Sequence, residues 1–159
     1  SEMCIRDSVY AIYTTPSKNN EYACFFKTSI INTYMQMLNK LLATKNYPQI
    51  NVGIGMATDK ELVVKAGRKG TGINNLVWIG DAVTKASNLS SVANKNTINT
   101  ICYSYLSYTN IIDLLNQKFP DKNVRSWFTE HRSVDLKTYY SASIVDTDFQ
   151  QWITNGMKD

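Results

Sequence analysis

Apolar residues recur along the chain at two different spacings, and the two spacings alternate. Between residues 21 and 43 they return every three or four positions, which predicts one apolar face of a long helix that covers a sheet. The residues of this predicted face are Ala23, Phe26, Ile30, Tyr34, Met37 and Leu41. Similar patterns predict helices that start after an Asp81 N-cap, over 105–117 and over 148–154.

Strands are predicted where short apolar runs or strict alternation replace the helical spacing. Val9 to Tyr13 is an apolar run that ends at a Thr-Thr-Pro-Ser turn, and it predicts a strand buried on both faces. Residues 51–56 alternate large side chains with glycine, and with residues 61–66 they predict a hairpin. Further strands are expected over 76–79, 97–103 and 137–145. Strands and helices interspersed in this way indicate an α+β fold.

Composition narrows the class of protein without choosing a function. The chain has 159 residues, 43% of them hydrophobic, which suits a single domain. Cys4, Cys24 and Cys102 lie far apart without CxxC spacing, so we expect buried thiols and no zinc site or disulfide framework. The net charge of +4 is scattered, which argues against nucleic acid as a partner. Lacking a long apolar run or a signal segment, the chain is expected to be cytoplasmic and away from membranes.

The first eight residues, SEMCIRDS, read as the translation of a sequencing adapter joined to a gene fragment. We therefore expect residues 1–8 not to be natural and residues 9–155 to form a partial domain. On this interpretation the natural sequence begins in the middle of a strand, and the elements that precede this strand are missing.

Three segments carry a family resemblance: V-G-I-G-M at 52–56, E-L-V-V-K-A-G at 61–67 and V-W-I-G-D-A-V-T-K-A-S-N-L-S at 77–90. Together they resemble class III nucleotidyl cyclases in order, spacing and character. The likeness extends to R-D-S-V-Y-A-I-Y at 6–13 and D-L-K-T-Y-Y at 135–140. Within that family the W-I-G-D-A form and the small size are most similar to the bacterial anti-phage pyrimidine (uridylate or cytidylate) cyclases.

This resemblance implies a ferredoxin-like class III core sandwich whose first strand and helices are missing here. It implies a homodimer that converts a nucleoside triphosphate, UTP or CTP, to a 3′,5′-cyclic monophosphate and pyrophosphate for anti-phage signalling. Two Mg²⁺ or Mn²⁺ ions, held by paired aspartates, would offset the charge that builds on the phosphate oxygens. Asp7 stands in register with one of these aspartates, inside the presumed adapter, and the other belongs to the missing region.

The resemblance also assigns roles on the strand at 76–79 and the helix after it. Val77 occupies a base-selecting position, and because valine cannot accept a hydrogen bond from an adenine amino group, it favours a pyrimidine. An equal alternative is that Val77 simply packs in the core, as Trp78 is expected to do. Thr84 and Asn88 stand where the family has an asparagine for the ribose and an arginine for the phosphate, so a fixed positive charge is absent. The alternative for Thr84 and Asn88 is that they are polar residues on an exposed helix face. Lys85 is expected to be a solvated surface charge.

Basic residues near the late strand are the remaining candidates. Arg132 is expected to contact the triphosphate, since its planar fork matches phosphate oxygens, whereas His131 is expected to be a surface residue. The glycine-rich segment 67–72 lacks the order of a P-loop and predicts a flexible connection. Without the arginine of the family pattern, a second function stays open: a catalytically inactive, cyclase-like nucleotide-binding or dimerisation module.

Overall fold

The computed structural model describes residues 8–60, 62–66 and 75–157, with backbone alone for the strands at 62–66 and 75–79. The helices of this described part are α1 (Lys18–Thr44), α2 (Ala82–Val92), α3 (Tyr105–Lys118) and α4 (Thr147–Thr154), with a 3-10 turn at Val124–Trp127. The strands are β1 (Ile54–Met56), β2 (Leu62–Ala66), β3 (Asn75–Ile79), β4 (Ile101–Ser104), β5 (Thr129–Ser133) and β6 (Lys137–Ala142). None of these helices is both long and apolar enough to cross a membrane.

Two sheets organise the described strands. The larger has the order β1-β4-β6-β5, in which β1 runs parallel to β4 and the other neighbours are antiparallel. The smaller is the antiparallel pair β2-β3. This arrangement confirms the predicted α+β class, while the ferredoxin-like core stays a prediction.

Strand β4 shows how the larger sheet is covered on both faces. Ile101 and Tyr103 point into an apolar core shared with α1 and α3, and both are fully buried. Between them, Cys102 points to the opposite face, where it packs with Leu89 of α2 and Tyr139 of β6. Because side chains alternate along a strand, one short strand serves two cores. The expectation that Cys102 is a buried thiol is confirmed.

The buried face of α1 differs from the predicted one. The helix buries Glu21, Phe25, Thr28, Ser29, Asn32 and Thr33. At about 100° per residue this face lies roughly 150° around the helix from the predicted apolar face. Four residues of the predicted face, Phe26, Ile30, Tyr34 and Leu41, are 38–49% exposed and are called the α1 stripe below. The prediction of the face was wrong, because hydrogen bonds orient this helix.

Those hydrogen bonds pair the buried polar side chains of α1. The Asn32 amide donates to the Ile144 carbonyl at 3.0 Å, and the Thr33 hydroxyl accepts from the Asp146 backbone N–H at 2.9 Å. Thr28 lies 3.1 Å from the Tyr103 hydroxyl. Since a buried polar group costs free energy unless it is paired, these partners make the polar face of α1 the one that can enter the core.

The segment Val9–Tyr13 is not a strand in the structure. Val9 is fully exposed, and Tyr10 is 72% exposed. No described strand pairs with this segment, so its backbone lacks the ladder of hydrogen bonds that a buried strand requires. One side chain anchors it, since the Lys27 ammonium lies 3.9 Å from the centre of the Tyr13 ring.

The predicted hairpin of 51–56 with 61–66 was also wrong, since β1 pairs with β4 and β2 pairs with β3. The loop after β1 is held elsewhere: the Thr58 hydroxyl lies 2.9 Å from that of Ser107 in α3 and also donates to Glu21 of α1. These bonds direct the chain away from a tight turn. Strand β5 was missed because it is a polar, mostly exposed strand at the edge of the sheet.

Helix α2 packs directly on the backbone of β1. A Cβ atom at Gly55 would overlap the Ala86 carbonyl oxygen and lie 2.6 Å from the Ser90 backbone nitrogen. At Gly53 it would lie 2.7 Å from the Ala93 carbonyl oxygen. The glycines that alternate along 51–56 therefore allow the close approach that sets the position of α2.

Candidate functional site

Thr84 and Asn88 lie on α2, where the sequence placed them. The helix begins at Ala82 after Asp81, although the Asp81 side chain makes no capping hydrogen bond in the described structure. Four residues separate Thr84 from Asn88, so both side chains share one face of the helix, and both are exposed. Contact with a nucleotide requires this exposure, and so does the alternative of an exposed polar face.

Asn88 lines a cleft that the sequence did not predict, between α2 and the turn that joins β5 to β6. This α2 cleft has a volume of about 410 Å³. Its lining residues are Asn88, Ser91, Val92, Ser133, Asp135, Leu136 and Tyr139. Thr84 is not among them. The cleft joins parts of the chain that are more than forty residues apart, which no local pattern in the sequence could reveal.

The turn that forms one wall of the α2 cleft is well defined. Ser133 and Lys137 are the last paired residues of β5 and β6, and Val134, Asp135 and Leu136 connect them. The Ser133 hydroxyl accepts a hydrogen bond of 3.0 Å from the Leu136 backbone N–H. Lys137 adopts a left-handed conformation with φ of 56°, which closes the turn.

Arg132 lies on β5, one residue before Ser133, but it does not line the α2 cleft. Its guanidinium binds Glu130 through Nε and Nη2, each 2.9 Å from Oε1. The arginine side chain is 79% exposed, and an exposed pair of this kind contributes little to stability. The described structure thus brings Arg132 near the cleft wall without bringing it to Asn88.

Two other predicted site residues lie wholly or partly outside the described structure. Asp7 is outside the described residues, as is the glycine-rich segment 67–72. The backbone of Val77 pairs with Val64 in the β2-β3 sheet, but its side chain is not described. Roles for these residues remain predictions. Within the described residues, no three His, Cys, Asp or Glu side chains come together as a metal site.

His131 takes part in a partly buried contact that sequence reasoning missed. Its Nε2 lies 2.8 Å from the Ser141 hydroxyl, and its ring stacks on Tyr139 with centroids 5.1 Å apart. Ser141 is fully buried and also accepts from the Asn99 amide at 3.1 Å. Because Ser141 is fully buried, its hydroxyl cannot reach a substrate and is not a nucleophile. The contact between His131 and Ser141 instead supports Tyr139, which lines the α2 cleft.

Hydrogen bonds to the buried Glu21, which the sequence did not predict, hold the loop after β1 in place. Glu21, only 3% exposed, accepts a hydrogen bond of 2.8 Å from Asn110 and another from Thr58. Beside Thr58, Asp59 forms an ion pair with Lys85 of α2. The hydrogen bond from Lys85 holds the pKa of Asp59 below its usual value. Lys85, expected to be a solvated charge, therefore also links α2 to this loop.

Burial alone explains the raised pKa of the Cys102 thiol on β4. Desolvation raises the pKa of Cys102 to about 12, so the thiol stays protonated at neutral pH. A protonated, buried thiol is a poor nucleophile. Neither this cysteine nor Ser141 gives the described structure a covalent catalyst, and the α2 cleft remains the candidate site.

The fold is α+β with a cleft of polar and apolar residues beside α2, and comparison with known proteins indicates its relatives. The chain is 44% identical over 158 residues to a uridylate cyclase of Treponema porcinum, an alignment that covers 96% of the chain and 51% of that protein. It is 38% identical over 128 residues to a uridylate cyclase of Gulbenkiania mobilis, covering 79% of the chain and 50% of that protein. These matches show a relationship to pyrimidine cyclases.

The chain spans about half the length of the curated relatives it matches. No protein-family model matches it, and no solved structure matches it significantly.

Proposed function

We propose that the full-length protein is a nucleotidyl cyclase that converts a pyrimidine nucleoside triphosphate, UTP or CTP, to a 3′,5′-cyclic monophosphate and pyrophosphate. The observation that carries the proposal is the 44% identity to a uridylate cyclase along 96% of the chain. In this reaction the ribose 3′ hydroxyl attacks the α-phosphate while pyrophosphate leaves. The proposal includes a homodimer and anti-phage signalling, on the family resemblance alone.

On this proposal, α2 carries the residues that orient the ribose and the α-phosphate. Asn88 lines the α2 cleft at the position of the family's phosphate-binding arginine, and its amide N–H can donate to an α-phosphate oxygen. Thr84, one helical turn earlier, offers a hydroxyl on the same face. Val77 would favour a pyrimidine because it offers no acceptor to adenine, and Arg132 would bind the triphosphate after leaving Glu130.

Mg²⁺ or Mn²⁺ is part of the proposal, and its charge would offset the charge on the phosphate oxygens. The described residues provide no group of three metal-binding side chains. The family pattern indicates Asp7, which lies outside the described residues, as one of the carboxylates of the site.

A second candidate function is supported by α2 itself. The helix contains no arginine, and Arg132 is paired with Glu130. Loss of the positive charge expected near the α-phosphate is what a cyclase-like binding or dimerisation module without catalysis would show.

Incubating the full-length protein with each of the four ribonucleoside triphosphates and Mn²⁺, followed by identification of the products, tests both proposals. Cyclic UMP or cyclic CMP as the main product is expected, and predominant cyclic AMP would overturn the pyrimidine assignment. Binding of UTP without product would favour the inactive module. Asn88→Ala should lower turnover by roughly tenfold or more, whereas the neighbouring exposed variant Ser87→Ala should not.

A further inference from the structure

We propose that Glu21 and Thr58 are positioning residues for the cyclase reaction, because together they hold the loop that binds the first turn of α2. The inference rests on the proposed function, in which this turn presents Thr84 to the ribose. Glu21 and Thr58 lie outside the segments that carry the family resemblance, and neither lines the α2 cleft.

Glu21 is a buried carboxyl group on α1, and both of its oxygens accept hydrogen bonds. Oε2 accepts from the Asn110 amide at 2.8 Å, and Oε1 accepts from the Thr58 hydroxyl. Because Thr58 has one hydroxyl proton and donates it to Glu21, it accepts from the Ser107 hydroxyl, 2.9 Å away. Ser107 in turn accepts from the Ser104 hydroxyl at 3.0 Å. Glu21 is thus the final acceptor of a chain of hydroxyl groups.

This chain of hydroxyl groups ties the loop after β1 to two helices. Thr58 belongs to the loop, Glu21 to α1 and Ser107 to α3. Ser107 is fully buried, and Glu21 is 3% exposed. A polar network whose members are all paired specifies one arrangement of the elements that it joins, because a shift would leave a buried group without its partner. The network therefore fixes the position of Thr58.

Asp59, the next residue of the loop, connects Thr58 to α2. Its Oδ1 accepts from the Lys60 backbone N–H at 2.8 Å, which orients the carboxylate, and its Oδ2 binds the ammonium of Lys85. The backbone N–H of Lys85 closes the first turn of α2, since it donates to the Asp81 carbonyl at 2.8 Å. The Asp81 side chain makes no capping hydrogen bond in the described structure, so this turn gains from an anchor outside the helix.

Thr84 lies in the turn that this ion pair anchors. The close contacts of α2 with the glycines of β1 involve Ala86, Ser90 and Ala93, which follow that turn. Moving a group that orients a substrate by about 1 Å can lower a reaction rate by roughly 100-fold. Loosening the loop should therefore lower turnover more than affinity, because the orientation of the ribose changes while the charged phosphates still bind.

Steady-state kinetics of the full-length protein with UTP and Mn²⁺ test the role in the reaction. Thr58→Val removes the hydroxyl at nearly constant volume and should lower kcat by roughly tenfold or more, with KM within about twofold. Thr58→Ser keeps the hydroxyl and should restore most of kcat, and Glu21→Gln, which keeps one acceptor oxygen, should lie between. Asn32→Ala is the matched control. It removes a buried hydrogen bond of α1 that leads to Ile144 and not to the loop, so it should lower stability without lowering kcat.

Hydrogen–deuterium exchange of the nucleotide-free protein gives a readout that does not depend on activity. Thr58→Val should speed exchange of the amides from Lys85 to Asn88 by roughly tenfold and leave the later amides of α2 within about twofold. Equal exchange or equal kcat in Thr58→Val and wild type, or an equal loss of kcat in Asn32→Ala, overturns the positioning role. If the wild type converts no triphosphate, the proposed function fails and the role in the reaction fails with it, while the exchange still shows whether the loop holds α2.

Discussion

Helices α1 and α3 pack against each other and share one core, yet they are held in it by different forces. Helix α3 buries Tyr108, Ile111, Ile112 and Leu115, which follow the spacing of an amphipathic helix. Helix α1 buries one aromatic residue, Phe25, among five polar ones and leaves the α1 stripe exposed. Apolar burial therefore positions α3, whereas specific hydrogen bonds position α1.

This difference has a consequence for reading sequences. Apolar spacing identifies the buried face of a helix when burial is the main force, as in α3. In α1, hydrogen-bond partners lie far along the chain, such as Ile144 for Asn32 and Asn110 for Glu21. Only the folded structure shows those partners, so the spacing indicated the helix and misplaced its face.

Truncation of a core residue of α3 should have the largest effect on stability. Leu115 is fully buried, and Leu115→Ala should lower the free energy of unfolding by about 2–5 kcal/mol, through lost apolar contact and a residual cavity. Urea unfolding measures the change. Leu106→Ala on the same helix is the control, since Leu106 is 44% exposed and should lose far less. Equal losses in the two variants would contradict the account of α3.

Loss of a buried hydrogen bond on α1 should have an intermediate effect. Asn32 is 2% exposed, and Asn32→Ala leaves the Ile144 carbonyl without its donor, at a cost of about 1–3 kcal/mol. The exposed Asn19→Ala on the same helix should change stability by no more than about 0.5 kcal/mol. If Asn32→Ala proved as harmless as its control, hydrogen bonds would not be what orients α1.

The ion pair between Asp59 and Lys85 should have a smaller and pH-dependent effect. Because folding lowers the pKa of Asp59 below its ordinary value of 3.8, the pair stabilises the protein above that pH. This contribution is lost as the pH falls through the lowered pKa. Asp59→Asn should cost about 0.2–1 kcal/mol near pH 7 and a smaller amount at about pH 2. Denaturation at both pH values checks this, and a cost that grew on acidification would contradict it.

The α1 stripe should contribute least to stability and most to association. Since Ile30 is 38% exposed, Ile30→Lys should change the free energy of unfolding by less than about 1 kcal/mol. The same change should reduce self-association in sedimentation velocity, because large exposed apolar patches promote contacts between molecules. Gln36→Lys, on the same helix but outside the stripe, is the control for added charge. A strongly destabilised Ile30→Lys protein would show that the stripe is packed.

Local patterns predicted much of the fold. The helices at α2, α3 and α4 and the strands at β4 and β6 were identified, because each has an apolar spacing of its own. Boundaries were less accurate: β4 begins at Ile101 instead of residue 97, because the backbone hydrogen bonds from Ile98 to Lys95 and from Asn94 to Asn99 extend the turn after α2 into this segment. Strand pairing was the main failure, since Thr58 anchors the loop that a hairpin would have used.

The candidate site was predicted only in part. Asn88 could be identified because it lies in a family segment, and the structure places it in the α2 cleft. Asp135, Ser133 and Tyr139 could not be associated with it, because the contact between α2 and the β5–β6 turn depends on sheet order. Sequence periodicity reports the neighbours of a residue along one element and says nothing about a wall supplied by another.

The glycines of β1 also limit how the sequence of this protein can change during evolution. A single methyl group at position 55 would meet the backbone of α2, and backbone cannot rotate away as a side chain can. Any replacement would push α2, and Asn88 with it, off the sheet. In a library that varies every position and is selected for folded protein, we expect only glycine at position 55 of β1. The exposed Ser87 on α2 should accept many residues. The site can then acquire new specificities through its side chains but not by moving the helix that carries them.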